Sequence, residues 1–222
     1  MPAAGAGRRF GGDTPKQYLP IAGRAVIVHA LERVLAHPQV KGVLVGLAAD
    51  DAHFASLQVQ HPRLLGTYLG GTERADTVLK GLSTLIAHAQ PNDWVLVHDA
   101  VRPCLHSDDL RRLLNAMSDS PDGALLATPL ADTLKEADVA GRAARTVPRE
   151  GLWRALTPQL FPIKMLRDAL ARALSAGVPI TDEASAVEAA GGHPRLVAGR
   201  PDNIKITLPT DLLLAERILA AG

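Results

Sequence analysis

Short apolar runs alternate with amphipathic segments along this chain, and this alternation limits the possible folds more than any other feature. Runs typical of buried strands occupy 43–47, 94–98 and 124–127, and weaker ones lie at 196–198 and 204–207. Because the runs are continuously apolar, they predict strands that are covered on both faces. The repeated strand–helix units predict an α/β fold with a mostly parallel sheet flanked by helices.

Segments with helical periodicity lie between these runs. Apolar residues share one helical face in the stretches 27–35, 78–86, 110–117, 166–174 and 212–219. A further helix is predicted between Thr181 and Gly191, because Asp182 and Glu183 suit a first turn and Gly191 and Gly192 suit a helix end. Ser107 and Thr181 are the expected N-caps of two of these helices, because their hydroxyls can accept a hydrogen bond from a free backbone N–H.

The composition is that of an ordinary globular protein. The chain has 222 residues, 47% hydrophobic and 21% charged, which is enough for one domain spanning 1–222. A net charge of +1 creates no field that would recruit nucleic acid, and 3% aromatic residues leave few platforms for stacking bases. No apolar run in the sequence is long enough to span a bilayer. We therefore expect neither a nucleic-acid nor a membrane partner.

The cysteine and histidine content bears on disulfides, on the cellular compartment and on zinc binding. Cys104 is the only cysteine, so an internal disulfide is impossible. A single thiol is typical of a reducing compartment and favours a cytoplasmic location. The 8 histidines are scattered and lack the spacing of a zinc site.

Residues 132–150 interrupt the alternation of strands and helices. They are rich in charge and have no apolar helix face, and 138–141 predict a turn between two extended arms. A polar hairpin of this kind is typically a mobile flap or a dimerisation arm. We expect a β-arm that projects from the domain.

The N-terminal segment has the residue types that bind phosphate. Residues 2–7 are small and glycine-rich, and positive charges follow at Arg8, Arg9 and Lys16. Glycine lets backbone amides approach a ligand, and arginine and lysine supply countercharge to phosphate oxygens. The segment predicts a polyphosphate ligand, with a flexible glycine-rich tail as the alternative.

Neither familiar phosphate loop fits this segment. A Walker A loop requires a Gly-Lys pair, which the sequence lacks, and the dinucleotide fingerprint requires glycine where Phe10 stands. Phe10 therefore disfavours a nicotinamide dehydrogenase. A glycine loop ordinarily follows a strand, and only Met1 and Pro2 precede this one, so we expect the natural start to lie several residues upstream.

Two polar segments follow or form strands later in the chain. Asp99 and Arg102 come just after the run that ends at Val97, at the sheet edge where open α/β folds bind ligands. A carboxylate there can hold Mg²⁺ that bridges phosphates, and a surface ion pair is the alternative. Lys205 would lie in a strand at 204–207, where a merely solvated lysine is the alternative.

A second glycine turn leads into a helix. The backbone of Gly70 and Gly71 and the hydroxyl of Thr77 could contact the edge of a base. A plain turn with Thr72 as N-cap is the simpler interpretation of the local sequence. Residues 157–159 are most simply a turn as well.

These segments together resemble one family, that of 2-C-methyl-D-erythritol 4-phosphate cytidylyltransferase, a step of the non-mevalonate isoprenoid pathway. The matching motifs occur in order at 2–9, 15–18, 70–74, 98–103, 156–159, 181–185 and 202–207. The resemblance covers nearly the whole chain. It implies a Rossmann-like nucleotidyltransferase fold and a homodimer joined through the arm at 132–150.

The resemblance also implies roles for individual residues. Nucleotide contacts would come from Ala3, Ala4, Gly5, Gly7, Gly71 and Thr77, and the catalytic cations would be Arg9, Lys16 and Lys205. Asp99 would hold Mg²⁺. The polyol phosphate would be bound by Arg102, Thr157 and Thr181 with Lys205, completed by Thr133 and Arg149 from the neighbouring subunit.

The implied chemistry is the joining of CTP to methylerythritol phosphate with release of pyrophosphate. The substrate phosphate is already a nucleophile, so no general base is needed. The difficulty is that two anions must approach, and preorganised cations lower that barrier by binding the crowded α-phosphorus best in the transition state. Mg²⁺ neutralises the triphosphate and favours the leaving group.

Two other functions remain open at this point. Ribitol-5-phosphate cytidylyltransferase shares the loop, the 98–103 turn and the 203–207 segment, while 181–185 and 157–159 favour methylerythritol phosphate. A non-catalytic nucleotide-binding domain would bind CTP without turnover. Retention of Arg9, Lys16, Asp99 and Lys205 together argues against it, because sensing requires fewer cations.

Overall fold

The computed structural model describes residues 1–5 and 14–221. The strands are β1 (Pro20–Ile21), β2 (Arg24–Ala25), β3 (Val43–Leu47), β4 (Leu64–Leu69), β5 (Trp94–Val97), β6 (Ala124–Pro129), β7 (Leu134–Ala137), β8 (Ala143–Val147), β9 (Trp153–Pro162) and β10 (Arg195–Ala198). The α-helices are α1 (Val26–Leu35), α2 (Arg74–Leu85), α3 (Ser107–Asn115), α4 (Ile163–Ser175), α5 (Glu183–Ala189) and α6 (Thr210–Ala221). Short 3₁₀ turns lie at Lys16–Tyr18, Ala55–Leu57 and Ala116–Asp119.

The largest sheet is mixed. Its strand order is β10-β6-β9-β5, in which β10 and β6 are parallel while β9 runs antiparallel to both β6 and β5. The expectation of a mostly parallel sheet therefore holds only in part. The chain reaches β9 from β6 through a hairpin, without the helical crossover that a parallel neighbour requires. The turn predicted at 157–159 is wrong, because these residues lie within β9.

A separate parallel pair is formed by β3 and β4. The first residues of the chain lie beside β3: the Ala3 amide donates to the Gly46 carbonyl at 2.8 Å, and the Gly46 amide donates to the Met1 carbonyl at 2.9 Å. The sequence analysis missed β4 because its residues alternate between half-buried and exposed and contain no continuous apolar run.

Helices cover both faces of the four-stranded sheet, as predicted. Successive residues of a strand point to opposite faces, so Leu126 of β6 packs with α1 and α3, and Leu125 packs with α2, α4 and α5. The largest fully buried side chains include Leu31 and Leu110 on the first face and Leu166 on the second. Burying a leucine of this kind contributes about 1.5–3 kcal/mol, so these two layers hold the strand ends in place.

Several predicted boundaries differ from the structure. The N-cap of α3 is His106, one residue before the expected Ser107. The N-cap of α5 is Asp182, one residue after the expected Thr181. Side chains that accept from the N2 or N3 amide define these caps, and neighbouring polar residues compete for that position. The strand predicted at 204–207 is wrong: the segment has no regular structure, although the Ile206 amide donates to the Val101 carbonyl at 2.9 Å.

The polar segment at 132–150 contains the predicted hairpin. Strands β7 and β8 pair antiparallel, and Asp138 orders the turn by accepting from the amides of Ala140 and Arg142 at 2.9 Å. Nearly all hairpin residues are exposed. Among the residues described, no helix has the length and apolar character needed to cross a membrane.

Candidate active site

A cavity of about 310 Å³ opens where β5 ends and the N-terminal segment passes over it. It is lined by small residues, whose backbone is accessible, and by polar and charged side chains. The lining residues are Pro2, Ala3, Ala4, Gly5, Lys16, Gln17, Gly71, Thr72, Glu73, Arg74, Thr77, Asp99, Ala100, Val101, Lys205 and Thr207. A second cavity, of about 530 Å³, lies between β3, β5 and α2 and is lined mainly by apolar side chains. We place the candidate site in the smaller cavity because the titratable groups converge there.

Asp99 is the centre of a buried group of charges. Its Oδ1 lies 3.0 Å from Nη2 of Arg74, and its Oδ2 lies 3.0 Å from Nζ of Lys205 and 3.5 Å from Nε of Arg102. Only 6% of the Asp99 side chain is exposed. We call Asp99, Arg74, Arg102, Lys205 and Glu183 the Asp99 cluster.

The electrostatics of the cluster keep Asp99 ionised. Burial alone would raise the pKa of Asp99, but the charges of Arg74, Lys205 and Arg102 outweigh it and hold the pKa well below its usual range. Burial also lowers the pKa of Arg102, although the carboxylate partly offsets this effect. Because cations outnumber carboxylates in the cluster, the cavity attracts an anion.

A chain of hydrogen bonds fixes the backbone at Asp99. The Asp99 amide donates to the Thr157 hydroxyl at 3.0 Å, and this hydroxyl lies 3.0 Å from Nδ1 of His98. Nε2 of His98 lies 3.1 Å from the Arg102 carbonyl. The pattern is satisfied by a neutral histidine that carries its proton on Nε2. Burial lowers the pKa of His98 to about 4, in agreement with the neutral form.

Arg74 and Glu183 were not singled out as site residues by the sequence analysis. Arg74 is the first residue of α2, and its guanidinium joins Asp99 to Glu183, the first residue of α5. Burial alone would lower the pKa of Arg74, but the two carboxylates raise it overall. The residues of this ion pair are 109 positions apart, so no local pattern reveals it.

The N-terminal segment is held by Gln17, which the sequence analysis also left without a role. Its Nε2 donates to the carbonyls of Ala3 at 2.8 Å and Gly5 at 3.3 Å. A Cβ at Gly70 would lie 2.6 Å from the Cβ of Ala4, so glycine is required for this close approach. The glycine turn and the N-terminal segment therefore form one wall of the cavity.

The second glycine turn is closed by Thr77. Its hydroxyl accepts from the Gly71 amide at 3.0 Å and donates to the Glu73 carbonyl at 3.0 Å. The N-cap of α2 is Glu73, whose side chain forms a capping box with Asp76, so the simpler alternative of a cap at Thr72 is wrong.

The structure brings together many of the predicted site residues. Those that line the cavity are Ala3, Ala4, Gly5, Lys16, Gly71, Thr77, Asp99 and Lys205. Gly7 and Arg9 lie outside the described residues.

The remaining predicted residues do not line this cavity. Arg102 lies behind Asp99 and donates to the Asn203 carbonyl at 2.7 Å, and the Thr157 hydroxyl is used inside the protein. Thr181 is exposed in the turn before α5. Thr133 and Arg149 are exposed next to the hairpin, where Arg149 donates to the Ala131 carbonyl.

The described carboxylates near the cavity are few, which bears on whether they suit Mg²⁺. In the part of the chain that the structure describes, no group of three or more His, Cys, Asp or Glu residues could hold a metal ion. Mg²⁺ at phosphate-transfer sites needs only one or two carboxylates, with phosphate and water oxygens completing its shell. Asp99, at the floor of an anion-attracting cavity, fits that requirement.

Nearly the whole chain matches known proteins. A family model described as IspD, 2-C-methyl-D-erythritol 4-phosphate cytidylyltransferase, matches residues 1–221. The 2-C-methyl-D-erythritol 4-phosphate cytidylyltransferase of Escherichia coli O1:K1 / APEC is 52% identical over 218 residues, which cover 97% of this chain and 90% of that protein.

Solved structures agree with the sequence matches. A crystal structure described as 4-diphosphocytidyl-2C-methyl-D-erythritol synthase superposes with a TM-score of 0.84 at 39% identity, covering 92% of this chain and 95% of that chain. The 2-C-methyl-D-erythritol 4-phosphate cytidylyltransferase of Francisella tularensis gives a TM-score of 0.83 at 31% identity and covers 98% and 96% of the two chains. With its sequence and its α/β fold matched over nearly their whole extent, the chain belongs to the 2-C-methyl-D-erythritol 4-phosphate cytidylyltransferase family, the nucleotidyltransferases of the non-mevalonate isoprenoid pathway.

Proposed function

We propose that the cavity at Asp99 is where cytidylyl transfer from CTP to 2-C-methyl-D-erythritol 4-phosphate takes place. The observation that carries the proposal is the convergence of Lys16, Lys205 and Arg74 around one cavity whose other wall is glycine-rich backbone. Residues 1–222 would act as one domain of the Rossmann-like nucleotidyltransferase fold, with 132–150 as its projecting arm.

The nucleotide would bind along the N-terminal wall. Backbone amides of Ala4 and Gly5, continued by Gly7, would cradle the triphosphate, and Ala3, whose amide is bonded to Gly46, would hold this wall against β3. The backbone of Gly71 would contact cytosine, and Thr77 would act by fixing that turn, since both hydrogen-bonding directions of its hydroxyl are already used there.

Cations would perform the chemistry. The phosphate of the second substrate attacks the α-phosphorus of CTP, pyrophosphate leaves, and no proton has to be removed. Lys16, Lys205 and Arg9 would bind the oxygens of the five-coordinate centre, where negative charge is most concentrated. Their advantage over water is that the fold holds Lys205 in place before the substrates arrive, through its ion pair with Asp99.

Asp99 would hold the metal ion. When bound, Mg²⁺ would neutralise charge on the triphosphate and assist departure of pyrophosphate. Oδ2 of Asp99 is the oxygen that faces Lys205 at the cavity, whereas Oδ1 is held by Arg74. Oδ2 is therefore the oxygen through which Asp99 would hold the ion, next to the ammonium group of Lys205.

The polyol phosphate would bind beside Asp99. Lys205 and Thr181 would contact it from the same chain, and Arg102 and Thr157, which do not line the cavity, would contribute by holding Asp99 in place. Thr133 and Arg149 would come from the hairpin of a second copy, because in the structure both are exposed and away from the cavity. The site would then be complete only in a homodimer.

A cytoplasmic location is part of the proposal. Cys104 is the only thiol in the chain and is buried, and burial raises its pKa to about 12. A thiol kept in this state is suited to a reducing compartment and takes no part in the reaction.

The function is tested by measuring pyrophosphate release with each of the four common nucleoside triphosphates, two polyol phosphates, and Mg²⁺ present or chelated. We expect turnover with CTP and methylerythritol phosphate that stops when Mg²⁺ is chelated. Equal turnover with ribitol 5-phosphate, or binding of CTP without pyrophosphate release, would contradict the proposal.

A further inference from the structure

A buried carboxylate that the proposed reaction does not use lies behind the cavity. The side chain of Glu183 is 1% exposed, and carboxylates buried to this extent occur almost only where they are paired. Its Oε1 lies 2.6 Å from Nη1 of Arg74, and its Oε2 lies 3.0 Å from Nη2. The pair is bidentate, which fixes the plane of the guanidinium as well as its position.

Glu183 determines how Arg74 meets Asp99. Nε and Nη2 of Arg74 both lie 3.0 Å from Oδ1 of Asp99, whereas Oδ2 faces Lys205 at 3.0 Å and Nε of Arg102 at 3.5 Å. A guanidinium that faces one carboxylate alone favours a two-oxygen pair. Because Glu183 occupies Nη1 and Nη2, Arg74 engages only one oxygen of Asp99.

Glu183 is itself fixed by its helix. Asp182 and Ser185 form a capping box at the start of α5, and Gln159 of β9 accepts from the Ala184 amide at 2.9 Å and donates to Asp182 at 2.8 Å. Strand β9 therefore fixes the position of Glu183. Glu183 in turn fixes Arg74, which contacts Asp99.

We propose that Glu183 is a positioning residue for cytidylyl transfer. By holding Arg74, it keeps Oδ2 of Asp99 directed at the cavity, where the metal–nucleotide complex would meet it. The inference rests on the proposed function, because it concerns the same carboxylate.

The test uses Glu183→Gln, which keeps the shape of the side chain and removes its charge. The matched control is Glu188→Gln, on the same helix but exposed and outside the cavity. Calorimetry measures CTP binding with Mg²⁺ and with chelator. We expect Glu183→Gln to weaken binding of the Mg²⁺ complex about tenfold and to leave metal-free binding within about twofold, with the control unchanged in both.

A double-mutant cycle shows whether Glu183 acts through Asp99. In the Asp99→Asn background, Glu183→Gln should have no further effect on binding of the Mg²⁺ complex. Equal weakening with and without Mg²⁺, or a full additional loss in the Asp99→Asn background, would overturn the inference.

A second variant covers the case in which Glu183→Gln does not fold, as judged by circular dichroism. Arg74→Lys keeps the positive charge but cannot bridge two carboxylates in a fixed plane, so it should show the same Mg²⁺-specific loss. Wild-type binding by Arg74→Lys would refute the inference. Product formation by the wild-type protein remains a separate test of the proposed function.

Discussion

Ion pairs in the Asp99 cluster and in the β7–β8 hairpin use the same residue types in opposite surroundings. In the cluster the carboxylates of Asp99 and Glu183 are almost entirely buried, and each meets more than one donor. In the hairpin, Arg145 pairs with Glu136 while both side chains are largely exposed. Exposed pairs contribute about 0–1 kcal/mol, whereas removing one partner of a buried pair costs about 3–5 kcal/mol.

The difference separates a buried, preorganised group of charges from a solvent-exposed one. The cluster is preorganised by contacts from β5, α2 and α5 and is already complete in a single chain. The hairpin is held mainly by its own turn and by exposed pairs, and its arginines are exposed to solvent. Changes in the cluster should therefore affect catalysis and folding, and changes in the hairpin should affect one substrate or almost nothing.

The largest effect is expected for Lys205→Ala. Loss of one preorganised cation at the transition state should lower kcat on the order of 10²–10³-fold, by analogy with the loss of an oxyanion donor. Steady-state kinetics of pyrophosphate release would show it, with the exposed Lys164→Ala as the control. A decrease no greater than that of the control would remove Lys205 from the catalytic group.

An acid-induced loss of stability is expected next, from His98. Its folded pKa of about 4 lies below its usual value of 6.5, so the unfolded chain takes up the proton first. The contribution of His98 to stability is present in full above about pH 6.5 and is lost as the pH falls towards 4, a change of about 3 kcal/mol. Urea unfolding between these pH values should therefore give a shallower pH dependence for His98→Asn than for the wild type. An unchanged slope would show that folding does not lower the pKa of His98.

Arg149→Ala tests whether the residues next to the hairpin contribute to substrate binding. If a second copy supplies Arg149, losing its charged hydrogen bond should raise the KM for methylerythritol phosphate about 10–100-fold. The KM for CTP should change little. Arg142→Ala, near the tip of the same hairpin, is the matched control for kinetics. Equal rises in both KM values would argue against a site shared between subunits.

The smallest effect is expected for the stability of Arg142→Ala. Arg142 is 80% exposed and pairs with Asp138 across the turn. Removing an exposed pair should change the free energy of unfolding by less than about 1 kcal/mol. Urea titration would measure it, and a loss of several kcal/mol would mean that the hairpin is as tightly built as the cluster.

Much of the fold could be predicted because its signals are local. Continuous apolar runs identified β3, β5, β6 and β10, and helical periodicity identified the helices. Strand β9 escaped because its residues 157–159 have the composition of a turn, and only pairing with β6 and β5 makes them a strand. The segment at 204–207 fails in the opposite direction: its sequence suits a strand, but in the described part of the chain it does not pair with another strand.

By itself, the sequence determined which residue types are available and where strands deliver them: Asp99 just after β5, glycines at the close approach to Ala4, and lysines at 16 and 205. Only the tertiary structure decided that Arg74 would join Asp99 to Glu183, that Gln17 would hold the N-terminal segment, and that Thr157 would support His98 instead of lining the cavity. The physical reason is the distance along the chain over which each interaction acts. Periodicity and capping act over a few residues, whereas a buried charge is stable only next to partners that the folded chain brings from far away.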